Sequence, residues 1–222
     1  MHWLVNPKPS VNEEQAAPDT AVASTSIRKV GPFASLRIRN FRFLLGGSLL
    51  FSVAGSIQGI GLNWLVYNIT GSGTILGSIN MVLSATSLGM IPMSGVLIDR
   101  VEHRKLMFLK NIWMLAITLG LGFLLLFGHP NIFYLFVFAF LCGVIQTLNV
   151  TLGQVVIFDL VPRIDTPNAI ALSQTGGYLT RSFVPAIGGL IILWFGPSGN
   201  FLFEAGIFAF IILTITQLRF PA

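Results

Sequence analysis

Gly95-Val-Leu-Ile-Asp99-Arg100-Val-Glu102-His103-Arg104-Lys105 is a short, highly charged stretch between two long apolar runs. No Asp, Glu, Lys or Arg occurs from residue 43 to 98, or from residue 111 to 158. A charged connection between segments this apolar is expected at a membrane surface. Because cytoplasmic loops carry an excess of Lys and Arg, this surface is predicted to be cytoplasmic. The positive residues that fall at or just after the stretch are Arg100, Arg104, Lys105 and Lys110.

The composition of the chain argues against an ordinary soluble domain. Of the 222 residues, 54% are hydrophobic and 9% are charged, whereas soluble domains carry about 25% charged residues. So few charges could not cover a surface in water, and lipid is expected to be the solvent for most of the chain. The net charge of +5 does not predict nucleic-acid binding, because the positive residues lie in loops beside apolar runs, where they set orientation.

Residue types with catalytic or metal-binding chemistry are scarce. Cys142 is the only cysteine, which rules out an intrachain disulfide and a cysteine-based zinc cluster. His2, His103 and His129 are scattered, so no metal site is expected. Gly71-Ser-Gly73-Thr-Ile-Leu-Gly77 lacks the preceding strand, the lysine and the spacing of a phosphate-binding loop. We therefore expect no cofactor and no enzyme activity.

The apolar runs predict an all-α membrane protein with six transmembrane helices. A span needs about 20 residues, so the runs must be divided at turn signals. These signals are Asn68-Ile-Thr-Gly71-Ser-Gly73, Gly128-His129-Pro130-Asn131 and Gly196-Pro197-Ser-Gly199-Asn200. The predicted spans cover residues 43–67, 74–97, 106–127, 131–158, 168–195 and 201–218, within a domain at 32–220. Residues 1–31 are too polar and proline-rich to bury a core, and a disordered cytoplasmic tail is expected there.

The Lys and Arg residues alternate between the predicted connections. They precede span one and follow spans two, four and six, whereas the other three connections contain none. Six spans with this alternation place both termini in the cytoplasm. The predicted location is the plasma (inner) membrane.

Small and polar residues recur at helical spacing on four of the six spans. Close helix packing and a polar cavity explain the serines and glycines equally well. Examples of possible packing motifs are Gly55-x-x-x-Gly59 and Gly73-x-x-x-Gly77. The larger polar side chains cost more in lipid than packing requires, and we take them as candidates for a substrate path. They are Asn63, Asn80, Gln146, Asn149 and Arg181. A lone arginine at mid-span costs about 2.5–3.5 kcal/mol on insertion scales. Glu204, nearer the end of span six, could equally be functional or interfacial.

The spacing of the charged loop is similar to that of a known family. Gly95-x-x-x-Asp99-Arg100-x-x-x-Arg104-Lys105, directly after span two, resembles the signature loop of the major facilitator superfamily. Other segments are similar to a branch that includes enterobactin exporters and putative secretion permeases. They are FASLRIRNFRFLLGGSLL (33–50), NWLVYNITGS (63–72), DLVP (159–162), PNAIALSQ (167–174) and RSFVPAIGGLI (181–191). The resemblance covers residues 33–218.

The resemblance implies the N-terminal half of a secondary transporter. Such a protein would export a small amphipathic molecule by alternating access, coupled to protons. In the family, the aspartate and basic residues of the loop form a charge network with an acid at the end of span four, which holds the inside-closed state. The matching positions are Gly95, Asp99, Arg100, Arg104, Lys105 and Asp159. Glu102 and His103 depart from the family pattern, so the basic partner of Asp99 is open, and Arg104 and Lys105 could instead only set topology.

Span five resembles an exporter-type Gly-Pro-x-x-Gly-Gly motif in which Val184 replaces the first glycine. Pro185, Gly188 and Gly189 remain and predict a helix bend. The partners implied are a small-molecule substrate, the lipid bilayer, and either a missing C-terminal half or a second copy, since full transporters of this type have two related halves. The alternative function is a non-transporting gene fragment, or a half-length scaffold that requires a partner half.

Overall fold

Helices make up nearly all of the described structure. The computed structural model describes residues 34–37, 39–128 and 131–216, in which a 3-10 turn, Ala34–Arg37, precedes six α-helices. These are α1 (Arg39–Thr70), α2 (Gly73–Gly89), α3 (Ile91–Arg100), α4 (His103–Phe127), α5 (Ile132–Leu160) and α6 (Thr166–Thr216). The all-helical prediction is confirmed for these residues. The tail predicted at 1–31 lies outside them.

The first two predicted turns fall at helix boundaries. Gly71, with φ of 60°, follows the last residue of α1, a backbone conformation that favours glycine. Ser72 then caps α2, because its side chain accepts a hydrogen bond from Ile75 N at 3.4 Å. Asn131 caps α5 in the same way, accepting from Phe133 N at 3.1 Å. Local side-chain chemistry therefore sets both boundaries.

The segment predicted as the second span consists of two helices. α2 and α3 meet at Met90 with a bend of 47°. Pro92 lies in the first turn of α3, where its missing N–H is tolerated, but it could not continue the hydrogen-bond ladder of α2. A single proline therefore explains why the segment is bent.

A single residue of α6 departs from helical geometry. Gly196 has φ of 71° and ψ of −179°, a combination that is essentially confined to glycine. The sequence predicted a five-residue turn at 196–200, but in the structure the interruption is Gly196 alone. At about 1.5 Å per residue a continuous helix of this length would extend about 77 Å, more than twice the hydrocarbon thickness of a bilayer.

The helices pack through a few close backbone contacts. α1 lies against α6, α4 against α5 and α6, and α2 against α5. At Gly143 of α5, an added Cβ would lie 2.7 Å from Leu83 O of α2. Close packing therefore explains Gly143. It does not explain Gly55 or Gly59, where an added Cβ would meet no atom within 4 Å.

The lengths and hydropathies of the helices identify an integral membrane protein. Among the described residues, α1, α4, α5 and α6 are each long and apolar enough to cross a membrane. The bent pair α2–α3 makes a fifth span if it is counted as one. The predicted membrane-spanning character is therefore confirmed.

Candidate functional site

The charged loop connects α3 to α4 and contacts the end of α5. His103 Nδ1 lies 2.8 Å from Asp159 Oδ2, and Lys105 Nζ lies 2.9 Å from Glu102 Oε2. All four side chains are at least partly exposed, so each pair contributes about 0–1 kcal/mol to stability. The contact between His103 and Asp159 joins the first residue of α4 to α5.

The structure brings Asp159 to His103, a position at which the sequence departs from the family pattern. Asp99 and Arg100 lie at the exposed end of α3, and Gly95 lies within that helix. Neither Asp99 nor Arg100 forms an ion pair among the described residues. The wider network around Asp99 therefore stays a prediction.

A cavity of about 440 Å³ lies between α1, α5 and the first part of α6. Three of the predicted substrate-path residues, Gln146, Asn149 and Arg181, meet in its wall together with Pro185 of the predicted helix bend. The remaining wall residues are Phe51, Ser52, Gly55, Ser56, Gly59, Ile60 and Val150. The small residues of α1 thus leave open space at this site instead of drawing two helices together. The helix bend predicted from Pro185, Gly188 and Gly189 stays a prediction. The residue of α6 with non-helical backbone angles is Gly196, which lies outside that motif.

The charge of the cavity wall comes from one residue. Arg181 is exposed and forms no ion pair with any described residue. Asp and Glu are absent from the wall of this cavity, as the described residues define it. The wall therefore combines a single positive charge with amide and hydroxyl groups.

Lys110 lies directly behind this wall and was not recognised from the sequence as a site residue. Its side chain is only 6% exposed. Its Nζ donates a hydrogen bond to Asn149 Oδ1 and lies 4.3 Å from the centre of the Phe51 ring. Lys110 therefore does not belong with the exposed loop charges with which the sequence analysis grouped it.

A sequence signal for the position of Lys110 was present. Lys110 follows Met107 by three residues and precedes Met114 by four, and all three side chains are buried. Residues at this spacing share one face of a helix. The apolar neighbours thus indicate that Lys110 points into the bundle.

The two other candidate amides form a separate pair. Asn80 Nδ2 of α2 donates to Asn63 Oδ1 of α1 at 2.9 Å and also to Leu76 O at 3.0 Å. Neither side chain lines the 440 Å³ cavity. The five predicted substrate-path residues therefore divide between the cavity wall and an interhelical hydrogen bond.

Glu204 is an enclosed carboxyl group between α6 and α4. Its exposure is 0%, and its Oε1 accepts a hydrogen bond from Thr118 Oγ1 at 3.4 Å. Its Oε2 has no hydrogen-bond partner in the described part of the chain. The sequence placed Glu204 a few residues from the end of span six, and the structure encloses its side chain within the bundle.

Comparison with known proteins identifies the family. The sequence pattern of the family described as transmembrane secretion effector, which is of the major facilitator type, matches residues 30–222. The chain belongs to this family. The resemblance inferred from the charged loop is thereby confirmed at the level of the superfamily, whereas the likeness to the enterobactin-exporter branch stays a prediction.

One similar curated protein is the Staphyloferrin A transporter of Staphylococcus aureus (strain NCTC 8325 / PS 47). It is 24% identical over 188 residues, which cover 81% of this chain and 45% of that protein. The chain thus spans about half the length of the curated relative it matches. The family and the curated relative are both described as membrane transport proteins. Membership of this family confirms the expectation that the chain is a transporter and not an enzyme.

Proposed function

We propose that the chain is half of a secondary active transporter, an efflux-type permease that moves a small molecule across the plasma membrane by alternating access. The cavity at Arg181 carries this proposal, because polar groups of three helices converge there within a highly apolar bundle. Ionisable residues within membranes usually face a cavity or a substrate path. Membership of the secretion-effector family supports the same function.

The proposed topology has six spans with both termini and the charged loop in the cytoplasm. In this arrangement α6 crosses the membrane twice, with Gly196 on the outer side. Two observations support it: the length of α6, which exceeds one crossing, and the alternation of Lys and Arg between connections.

The proposal includes a second half, supplied either by a homologous six-helix domain or by a second copy of the chain. The match to 45% of the curated relative supports this. The cavity wall also supports it, because its described residues lie on α1, α5 and α6 and leave one side open for a second half. The same match favours the alternative, a fragment or scaffold that does not transport without a partner half. Substrate movement by a monomer of 24.1 kDa in liposomes would contradict the need for a second half.

Proton coupling needs a group that can exchange a proton within the bundle, and we propose the carboxyl group of Glu204 for this role. Its complete enclosure distinguishes it from Asp99, Glu102 and Asp159, which are exposed. Glu204→Gln keeps an acceptor for Thr118 and should fold normally, but transport by the assembled protein should no longer respond to a pH gradient. Glu102→Gln is the matched control and should retain the response. A retained response in Glu204→Gln would exclude this residue.

Cysteine accessibility tests the cavity without knowledge of the substrate. Gln146 lines the cavity, whereas Phe140 of the same helix is 52% exposed and lies outside it. In a Cys142→Ser background, Gln146→Cys should react with an impermeant thiol reagent from both faces of membrane vesicles if access alternates. Phe140→Cys should stay unreactive in lipid. If Gln146→Cys does not react with the reagent from either face, a water-filled substrate path is contradicted.

A further inference from the structure

The charge around the cavity indicates which substrates it can bind. Its described wall contains Arg181 and no acidic residue, and Lys110 lies behind Asn149 and Phe51. We propose that the substrate is an organic anion whose carboxylate or phosphate group binds Arg181, with Asn149 as a second hydrogen-bond donor. This inference rests on the proposed transport function and specifies its substrate class.

The first step of the argument concerns Arg181. A guanidinium group is always charged and carries five N–H donors in a planar fork that fits a carboxylate or phosphate. No described carboxylate pairs with Arg181, so these donors are available to a ligand. An anion would offset the cost of holding this charge within a membrane.

The second step concerns Asn149. An ammonium group has only donors, so Lys110 must contact the amide oxygen of Asn149, which fixes the amide orientation. The Nδ2 hydrogens are then the part of the amide that remains for a ligand. Asn149 lies in the cavity wall, and Lys110, which holds it from behind, adds no negative charge there. Both features favour an acceptor-rich ligand over a donor.

The third step excludes the other charge classes. A cationic substrate would bring a further positive charge beside Arg181, with no acid in the described wall to compensate. Phe51, Ile60 and Val150 supply apolar surface in the same wall. The ligand that fits best is an anion with an apolar body.

Four naphthalene derivatives of similar size provide the test: 2-naphthoate, 2-naphthyl phosphate, 2-naphthamide and 2-naphthylmethylammonium. Their binding to the purified 222-residue chain in uncharged detergent is measured by equilibrium dialysis. At least one of the two anions should bind roughly tenfold or more tightly than the amide and the ammonium, because charge-assisted bidentate bonds are the strong ones. The stronger of the two anions identifies the preferred group.

Substitutions in the cavity wall test whether the anions bind there. Arg181→Gln should abolish the preference for anions, whereas Arg163→Gln, the same charge change at an exposed position between α5 and α6, should preserve it. Asn149→Asp keeps an acceptor for Lys110 and should fold, but it places a negative charge in the wall. It should weaken anion binding and strengthen ammonium binding, each by roughly tenfold.

Equal binding of the amide and both anions at millimolar concentration would overturn the inference, as would an anion preference that survives Arg181→Gln.

The accessibility of Gln146→Cys is measured separately. If it reacts from both faces while the anion preference is absent, the substrate class is wrong and the transport proposal stands. If Gln146→Cys is silent but the preference depends on Arg181, an anion site exists without the transport path.

Discussion

Lys110 places its amino group in the interior of the bundle without an acidic partner among the described residues. Two contacts compensate for its loss of water. A hydrogen bond from a charged donor, here to Asn149 Oδ1, is worth about 1.5–3 kcal/mol. A desolvated cation over an aromatic face, here Phe51, is worth about 2 kcal/mol. The residue thus depends on neighbours that also form the cavity wall.

This dependence predicts an asymmetry between two substitutions. Asn149→Leu leaves the buried ammonium without its acceptor and should cost about 1.5–3 kcal/mol of unfolding free energy. Lys110→Met removes the charge and fills similar space, so it should cost below about 1.5 kcal/mol. Thermal unfolding in detergent, followed by tryptophan fluorescence, compares them. The double variant should resemble Lys110→Met, and strict additivity of the two costs would contradict the interaction.

Individual residues of the candidate cavity were predictable to the extent that polarity in an apolar run is informative. Gln146, Asn149 and Arg181 stand out in this way, and the structure brings them together. Lys110 was missed because it follows a charged loop and was counted with that loop. The pairing of His103 with Asp159 was not predictable, because it depends on how α4 and α5 meet at their ends.

At the scale of helices, the contact of α2 with α5 depends on the missing side chain of Gly143. An added Cβ would lie 2.7 Å from Leu83 O and 2.8 Å from Thr86 Cβ. Gly143→Ala should therefore separate the helices locally and lower the unfolding free energy by about 1–3 kcal/mol. Gly153→Ala, in the same helix with no atom within 4 Å, is the control and should leave the unfolding midpoint unchanged or higher. Equal midpoints for the two variants would contradict the tight contact.

The break in α6 gives a second prediction at this scale. Gly196→Ala forces an L side chain into φ of 71° and ψ of −179°, which costs about 1–3 kcal/mol. Gly189→Ala in the same helix, with helical backbone and open space around it, should lack this penalty. Thermal unfolding of both variants measures the difference. A Gly196→Ala variant as stable as the control would show that the break is not fixed by this conformation.

The helix boundaries were largely predictable because turns depend on local chemistry. Gly71, Ser72 and Asn131 lie within predicted turn signals and terminate or cap helices in the structure. The bend between α2 and α3 was not predicted, although Pro92 was visible in the sequence. The roles of the small residues were also undecided, because Gly143 and Gly55 look alike in sequence and only tertiary packing separates a tight contact from open space.

For the whole molecule, the number of membrane crossings depends on α6. The described helices give four candidate spans, or five with the bent pair, whereas the apolar runs and turn signals of the sequence predict six. The two counts are reconciled if the segments on either side of Gly196, residues 166–195 and 197–216, cross the membrane separately. The length of each segment permits a crossing, and positions near Gly196 would then face the outside.

Thiol labelling of single-cysteine variants in intact cells decides this topology. Cys142→Ser provides the background, since serine retains an acceptor for the hydrogen bond that Gln58 donates to Cys142 at 2.9 Å. With six spans, cysteines at Asn68, Phe127 and Ser198 should react with an impermeant reagent added outside. These positions avoid the capping side chains Ser72 and Asn131.

The cytoplasmic positions provide the matched controls for this experiment. Glu102 and Ile164 are exposed and lie in the two connections that carry Lys or Arg between spans. Cysteines there should react only after the membrane is permeabilised. Silence at Ser198 with labelling at Asn68 and Phe127 would mean that α6 crosses once and that six spans are wrong. Labelling at Glu102 with silence at Asn68 would invert the whole orientation, because the positive-inside assignment of the charged loop would then fail.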